Sequence, residues 1–283
     1  MNQPSVTVII NCFNGEKYLR EAIDSVYAQT YKNWNIIFWD NKSTDSTPDI
    51  ANSYDNRLEY YCADLTTDLG EARLKASKLA RGELLAFLDS DDVWHENKLE
   101  MQVNIFCESK DNLGLVYGRA QGKYELNRNK DRIFYDGEDL PEGWVFPELV
   151  KNNFIVFSSA LVNRKFFFEC GGFPPHFKNS TDYYIFVRMS QRYKFRALQS
   201  LCCDYRIHDS NLSSSHRVLG MIESISVVSS FLPNKYAKKG LRHLYLDLAI
   251  MYIKEGKILP AIGIVSRKFL FFLLIRWIWK RYI

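Results

Sequence analysis

The stretch "GELLAFLDSDDVW" (Gly82–Trp94) runs an apolar segment straight into three carboxylates. Leu84 to Leu88 form a short apolar run without polar alternation, the pattern of a strand buried on both faces. Asp89, Asp91 and Asp92 crowd together at its end. Acids that close repel one another, and a strand terminus has no helix dipole to relieve them. The place therefore needs a cation or a set of hydrogen-bond donors.

Upstream, strand and helix patterns alternate. "SVTVIINCF" is β-branched and apolar, a buried strand. "NGEKYLREAIDSVYAQ" follows as a helix, with Leu19, Ala22, Ile23 and Val26 at helical spacing and Asn14 as its cap. "NWNIIFWD" is a second strand ending at Asp40. "NKSTDSTPDIANSY" supplies a polar loop and a short helix with Pro48 near its first turn. "RLEYYCA" is a third strand, and "DLGEARLKASKLARG" a helix closed by Gly82. The series predicts an α/β fold with a mostly parallel, Rossmann-like sheet flanked by helices. Such sheets bind ligands beyond the carboxyl ends of their strands. Asn11 to Phe13, Asp40 and the Asp89 cluster all fall there and are expected to converge on one crevice. The plainer alternative for the acids is a solvated surface turn.

Downstream, "ENKLEMQVNIFCES" reads as a helix and "LGLVYGRAQG" as a strand. The regularity then fades. "KNNFIVFSSALVNRKFFFECGGF" mixes a strand-like stretch with a short helix ending at Gly171 and Gly172. "STDYYIFVRMSQRYKF" has Tyr184, Val187, Arg188 and Gln191 at helical spacing, and from about Arg217 the chain reads as helical to its end.

With 283 residues, 47% hydrophobic and 25% charged, the chain can bury a real core, as one large domain or two closely joined ones. A net charge of +4 is too small to imply nucleic acid as a partner. The six cysteines form no C-x-x-C pair and read as buried free thiols in a reducing compartment. The opening "MNQPSVTVII" lacks a basic n-region and is not expected to be a signal peptide, which makes the protein cytoplasmic unless the C-terminus changes that reading.

An Asp-x-Asp at a strand end can offer oxygens to one hard cation. Mg²⁺ and Mn²⁺ take such ligands and often bridge carboxylates to phosphate oxygens. No G-x-G-x-x-G follows the first strand and no G-x-x-x-x-G-K-[ST] occurs, so neither a dinucleotide fingerprint nor a P-loop is present. What remains is a metal–diphosphate site without a glycine cradle.

"PSVTVIINCFNGEKYLREAIDSVYAQTYKNWNIIFWDNKSTDST" and "ARLKASKLARGELLAFLDSDDVW" resemble the nucleotide-sugar half of family 2 glycosyltransferases, which have the GT-A fold. "STDYYIFVRMSQR" and "DYRIHDSNLSSS" resemble the acceptor-side motifs of that family. The resemblance implies a nucleotide-sugar-binding half over 1–118, an acceptor-binding and catalytic half over 119–215, and a helical region over 216–283. It implies an inverting transfer from a nucleoside-diphosphate sugar, UDP-linked, to a glycan or lipid-linked saccharide, in polysaccharide or lipopolysaccharide assembly. Asn11, Phe13 and Asn14 would line the base and Asp40 would contact base or ribose. Arg73 would lie near the nucleotide. Asp89 and Asp91 would form the Asp-x-Asp that holds Mn²⁺ or Mg²⁺. Asp182 would be the general base, and His208 would touch metal or diphosphate, with Arg206 beside it. Two positions depart from the family pattern: Leu74 where Asn is frequent after the arginine, and Thr181 where Glu is frequent before the base.

Each assignment has a plainer counterpart. Asp182 could only stabilise a helix N-terminus, and His208 could be structural. Trp94 is expected to pack beneath the acidic loop. A non-catalytic sugar-binding module and a sugar-nucleotide-forming nucleotidyltransferase are the rival functions. The tail "SRKFLFFLLIRWIWKRYI" (Ser266–Ile283) is too short in its apolar run to span a bilayer. It reads either as an aromatic, basic anchor on an anionic membrane surface, the cytoplasmic face, or as a helix packed on the protein.

Overall fold

The computed structural model describes residues 3–109 and 112–267. The chain opens with strand–helix units. β1 (Val6–Cys12) leads to α1 (Leu19–Tyr27), β2 (Trp34–Asp40) to α2 (Thr47–Asn52), and β3 (Leu58–Cys62) to α3 (Leu69–Leu79). β4 (Leu84–Asp89) completes a parallel run in the order β3-β2-β1-β4. Asn11 lies across from Trp39 and Asp89, and Cys12 across from Asp40, so the predicted polar residues reach one carboxyl edge together.

Both faces of β1 and β4 at the centre of this run are covered, which is why these two strands are mostly apolar without alternation. Val6, Val8 and Ile10 pack with Leu19, Ile23 and Val26 of α1 on one side. Ile9 and Phe87 join Phe167 and Phe186 on the other. Full burial of each such side chain contributes roughly 1.5–3 kcal/mol. Asn14 does not cap α1. It sits in the left-handed region at φ 52°, and the residue before the helix is Tyr18, which makes no side-chain cap. Its amide oxygen accepts instead from Thr44 N at 2.8 Å.

The second half is mixed. β5 (Val93–Trp94) and α4 (Lys98–Glu108) precede the long β6 (Leu113–Tyr124), which runs through the expected division at 118. β7 (Arg132–Ile133), α5 (Phe146–Leu149), β8 (Leu161–Asn163), α6 (Arg164–Glu169), α7 (Thr181–Ser190) and β9 (Lys194–Ile207) follow. β8 sits antiparallel between β4 and β6, β6 pairs in parallel with β9, and β5 closes the sheet antiparallel to β9. The helix expected through Phe195 ends at Ser190, because Lys194 and Phe195 pair with Leu113 and Leu115 of β6.

Four helices complete the described chain: α8 (Leu212–Ser215), α9 (Arg217–Ser229), α10 (Lys235–Lys254) and α11 (Ile258–Arg267). α9 lies against α7 and α10. Among the described residues no helix is long and apolar enough to cross a membrane. The predicted aromatic and basic tail lies, from residue 268 onward, outside the described residues. Trp94 is 3% exposed and donates from Nε1 to Ser158 O at 2.7 Å, beneath the acidic loop as expected. All six cysteines are free thiols, but Cys62 and Cys107 are exposed and not part of the core.

Candidate active site

The three crowded carboxylates avoid one another by turning to different partners. Asp92 is buried: its Oδ2 accepts from Ser158 Oγ at 2.5 Å and its Oδ1 from Arg206 N at 3.0 Å. Burial pushes its pKa well above the usual carboxylate range, with Asp91 and Asp89 adding to the shift. Asp89 Oδ1 accepts from Arg73 Nη2 at 2.6 Å. Burial pushes Asp89 up to about 6; Arg73 opposes the shift, while Asp91 and Asp182 reinforce it. Asp91 Oδ2 lies 3.0 Å from His208 Nε2 and accepts from Asn211 Nδ2 at 3.2 Å.

Arg73 turns inward from the crevice rim. Its side chain is buried from α3, and a buried guanidinium requires a carboxylate and hydrogen-bond acceptors. Asp89 meets that demand, so of the three expected metal ligands it is the one held by a protein cation. Arg73 Nη1 donates to Thr181 Oγ1 at 2.7 Å, and the guanidinium lies 3.8 Å over the Phe157 ring. Thr181, the departure noted in the sequence, thus links the acidic loop to the start of α7.

Asp182 stands on the first turn of α7, next to that link. Its Oδ2 accepts from Asn153 Nδ2 at 3.1 Å. Burial raises its pKa above the ordinary aspartate value, with Arg73 pulling the other way. His208 is held by Ser210 Oγ, 2.8 Å from Nδ1, and by the Tyr18 ring at 4.9 Å between centroids, which leaves Nε2 toward Asp91. Arg206 is fully engaged by neighbouring groups of the protein. Its Nε donates to Asp91 O at 2.9 Å, its Nη2 pairs with Glu21 Oε2 at 2.5 Å, and it stacks over Tyr18. That guanidinium lines a polar cavity of about 430 Å³ with Glu21, Lys123, Glu125 and Arg128.

At the other end of the edge, the loop after β1 is stapled to the loop after β2. Gly15 N donates to Thr47 Oγ1 at 2.9 Å, Glu16 N to Asp45 Oδ2 at 3.0 Å, and Ser46 N to Glu16 Oε2 at 2.9 Å. Asp40 supports this wall from inside. It is 0% exposed and accepts from Ser43 N at 2.8 Å and Tyr60 Oη at 2.7 Å, so it shapes the loop and offers no exposed oxygen. Phe13 is 53% exposed on the rim, and Asn11 Nδ2 is buried without a hydrogen-bond partner.

The structure thus gathers Asp89, Asp91, Asp182, Arg73 and His208, and adds residues that the sequence did not single out. Asn211 lies inside the quoted "DYRIHDSNLSSS" and could have been noticed there. Asn153 and Ser158 come from the irregular 120–180 stretch and carry no local signal. Among the described residues no group of three or more His, Cys, Asp or Glu forms a ready metal cage. Asp91 Oδ2 and His208 Nε2 lie 3.0 Å apart and bond to each other, so a cation held by this oxygen and nitrogen would replace that contact. That donor set fits Mn²⁺ or Mg²⁺ when phosphate oxygens and water complete the coordination.

Comparison with known proteins places these features in a wider group. Residues 7–167, more than half of the chain, match the family model described as Glycosyl transferase family 2. The chain is 29% identical over 242 residues to the Escherichia coli UDP-Glc:alpha-D-GlcNAc-diphosphoundecaprenol beta-1,3-glucosyltransferase WfgD, covering 84% of this chain and 90% of that protein. Its fold is similar to S. aureus TarS 1-349 in complex with UDP-GlcNAc, at TM-score 0.65 and 17% identity, over 85% of this chain and 71% of that one. It is also similar to the mannosyltransferase PcManGT from Pyrobaculum calidifontis in complex with GDP-Man and Mn2+. There the TM-score is 0.66 at 17% identity, over 94% of this chain and 75% of that one.

Proposed function

Because the chain belongs to glycosyl transferase family 2 and is a glycosyltransferase, we propose that it moves a sugar, with inversion, from a UDP-linked donor to a hydroxyl of a glycan or lipid-linked saccharide. One observation carries the reading. Asp182 directly follows Thr181, and Arg73 links Thr181 to Asp89 of the same acidic loop whose Asp91 meets His208. The lipid-linked acceptor is supported by the name of the E. coli relative, and the uridine nucleotide by that name and the TarS complex.

The loops after β1 and β2, with Phe13 on their rim, line the base. Asp91 and His208 would hold a divalent cation, which when bound would supply Lewis-acid stabilisation of charge on the leaving diphosphate. Asp182 takes the proton of the acceptor hydroxyl as it attacks the anomeric carbon from the opposite side, a contribution typically of ~10²–10⁴-fold. Asn153 orients that carboxylate, and Arg73 holds Asp89 and Thr181 at a fixed separation beneath it. A single displacement by the acceptor hydroxyl on the face opposite the leaving diphosphate inverts the configuration.

The deciding experiment is product analysis with UDP-sugars and a saccharide acceptor. Free UDP together with an elongated acceptor is expected. A chelator should stop the reaction, and Mn²⁺ or Mg²⁺ should restore it. Pyrophosphate in place of UDP would make the protein a nucleotidyltransferase instead.

Asp40→Ala tests the base wall. It removes the acceptor for Ser43 N and Tyr60 Oη, two part-buried donors, which costs about 1 kcal/mol of stability. The loop it shapes lies far from the reacting atoms, so donor KM should rise more than kcat falls. An unchanged donor KM in steady-state kinetics would remove this loop from the donor site.

A further inference from the structure

α7 carries the proposed base but has no side-chain cap of its own, and Ser180 at its N-cap position turns its hydroxyl to Gly220 O at 2.8 Å. The orphan amides before the helix go to a different element. Glu223 of α9, 8% exposed, accepts from Lys178 N at 2.7 Å through Oε1, and from Asn179 N at 3.0 Å and Ser180 N at 2.8 Å through Oε2. Ser224 Oγ reaches Ser180 Oγ at 3.2 Å and Gly220 O at 2.8 Å. The approach is close: a Cβ on Gly220 would stand 2.5 Å from Asn179 Oδ1. One carboxylate therefore collects successive backbone N–H groups, each bond charge-assisted, immediately before Thr181 and Asp182.

We propose that Glu223 is a positioning residue for the transfer reaction. Held by α9, it sets the entry of α7 and so the place of the Asp182 carboxylate relative to Asn153 and the Arg73–Thr181 link. The inference rests on the reading of Asp182 as base. It makes the C-terminal helices part of the catalytic geometry, although none of their residues is assigned to the substrate.

Glu223→Gln replaces one accepting oxygen with an amide that cannot accept from the backbone N–H groups. It is expected to lower kcat roughly 10–10²-fold, the scale of a misplacement of about 1 Å, while donor KM and UDP binding stay within about twofold of wild type. In an Asp182→Asn background the same change should add little, because the two residues act through one carboxylate. Ser180→Ala, which loosens the same junction while leaving Glu223 in place, should give a smaller loss of kcat with the same unchanged donor KM; it decides the matter should Glu223→Gln not fold. Effects of Glu223→Gln and Asp182→Asn that multiply, or a loss expressed in donor KM, would overturn the positioning role while leaving Asp182 as base. If Asp182→Asn alone stays active, the failure belongs to the base assignment and not to Glu223.

Discussion

Asp182→Asn should bind UDP-sugar almost normally yet transfer the sugar at least ~10²-fold more slowly. The amide keeps the size of the carboxylate and can still accept from Asn153 Nδ2, but at neutral pH it cannot take up the acceptor's proton. The pH profile sharpens the test. Burial raises the Asp182 pKa, and only Arg73 among its charged neighbours offsets this substantially. The base is active when deprotonated. Transfer should therefore fall as pH drops through a value above the ordinary aspartate pKa of about 3.9. The variant should lose that acid limb along with the rate. Wild-type turnover by Asp182→Asn would send the search for a base to His208, whose removal would then reshape the profile.

Asp91→Ala should fail differently. Asp91 Oδ2 faces His208 Nε2 and Asn211 Nδ2 at the point where the cation is proposed to sit. Without it, the imidazole is the remaining proposed protein ligand, and the link between protein and diphosphate weakens. Donor affinity and rate should fall together, each by at least ~10-fold, the lower bound seen when even supporting residues of metal sites are lost. Titration of UDP with and without Mn²⁺ reads this directly: the wild type should gain affinity from the ion and the variant should not. Full turnover by Asp91→Ala in chelated buffer would end the metal reading.

The parallel half of the fold is legible in the sequence because both of its faces are covered. Runs such as "VIINCF" and "LLAFL" are mostly apolar without alternation, and the intervening helices carry their own spacing. The mixed half is harder. β5 is two residues long, and β9, "KFRALQSLCCDYRI", has register shifts against β6 that break any clean alternation. Lys194 and Phe195 look like a helix continuation locally, and only the distant partner β6 makes them strand. Asp40, Asp89 and Asp91 were readable from their strand-end positions, whereas Asp182, at a helix start, was readable only through the family resemblance. Their partners were not, since Arg73 reaches Asp89 from sixteen residues earlier and Thr181 from more than a hundred. Asn153 and Glu223 stand out only once the chain has folded around Asp182.

The crowding of carboxylates behind the crevice also governs how the empty enzyme withstands changes in acidity. Asp89, Asp92 and Asp182 all have pKa values raised on folding, chiefly by burial. A carboxyl whose pKa is higher folded than unfolded holds its proton more tightly in the native state. Its stabilising influence is full below the unfolded value near 4 and is lost as pH rises toward the folded one. At neutral pH these groups therefore oppose folding, in the form of charge frustration kept at a working site. Mildly acidic solution relieves that frustration by protonation. The native fold without its ligands should thus tolerate heat better near pH 5 than its net charge alone would indicate.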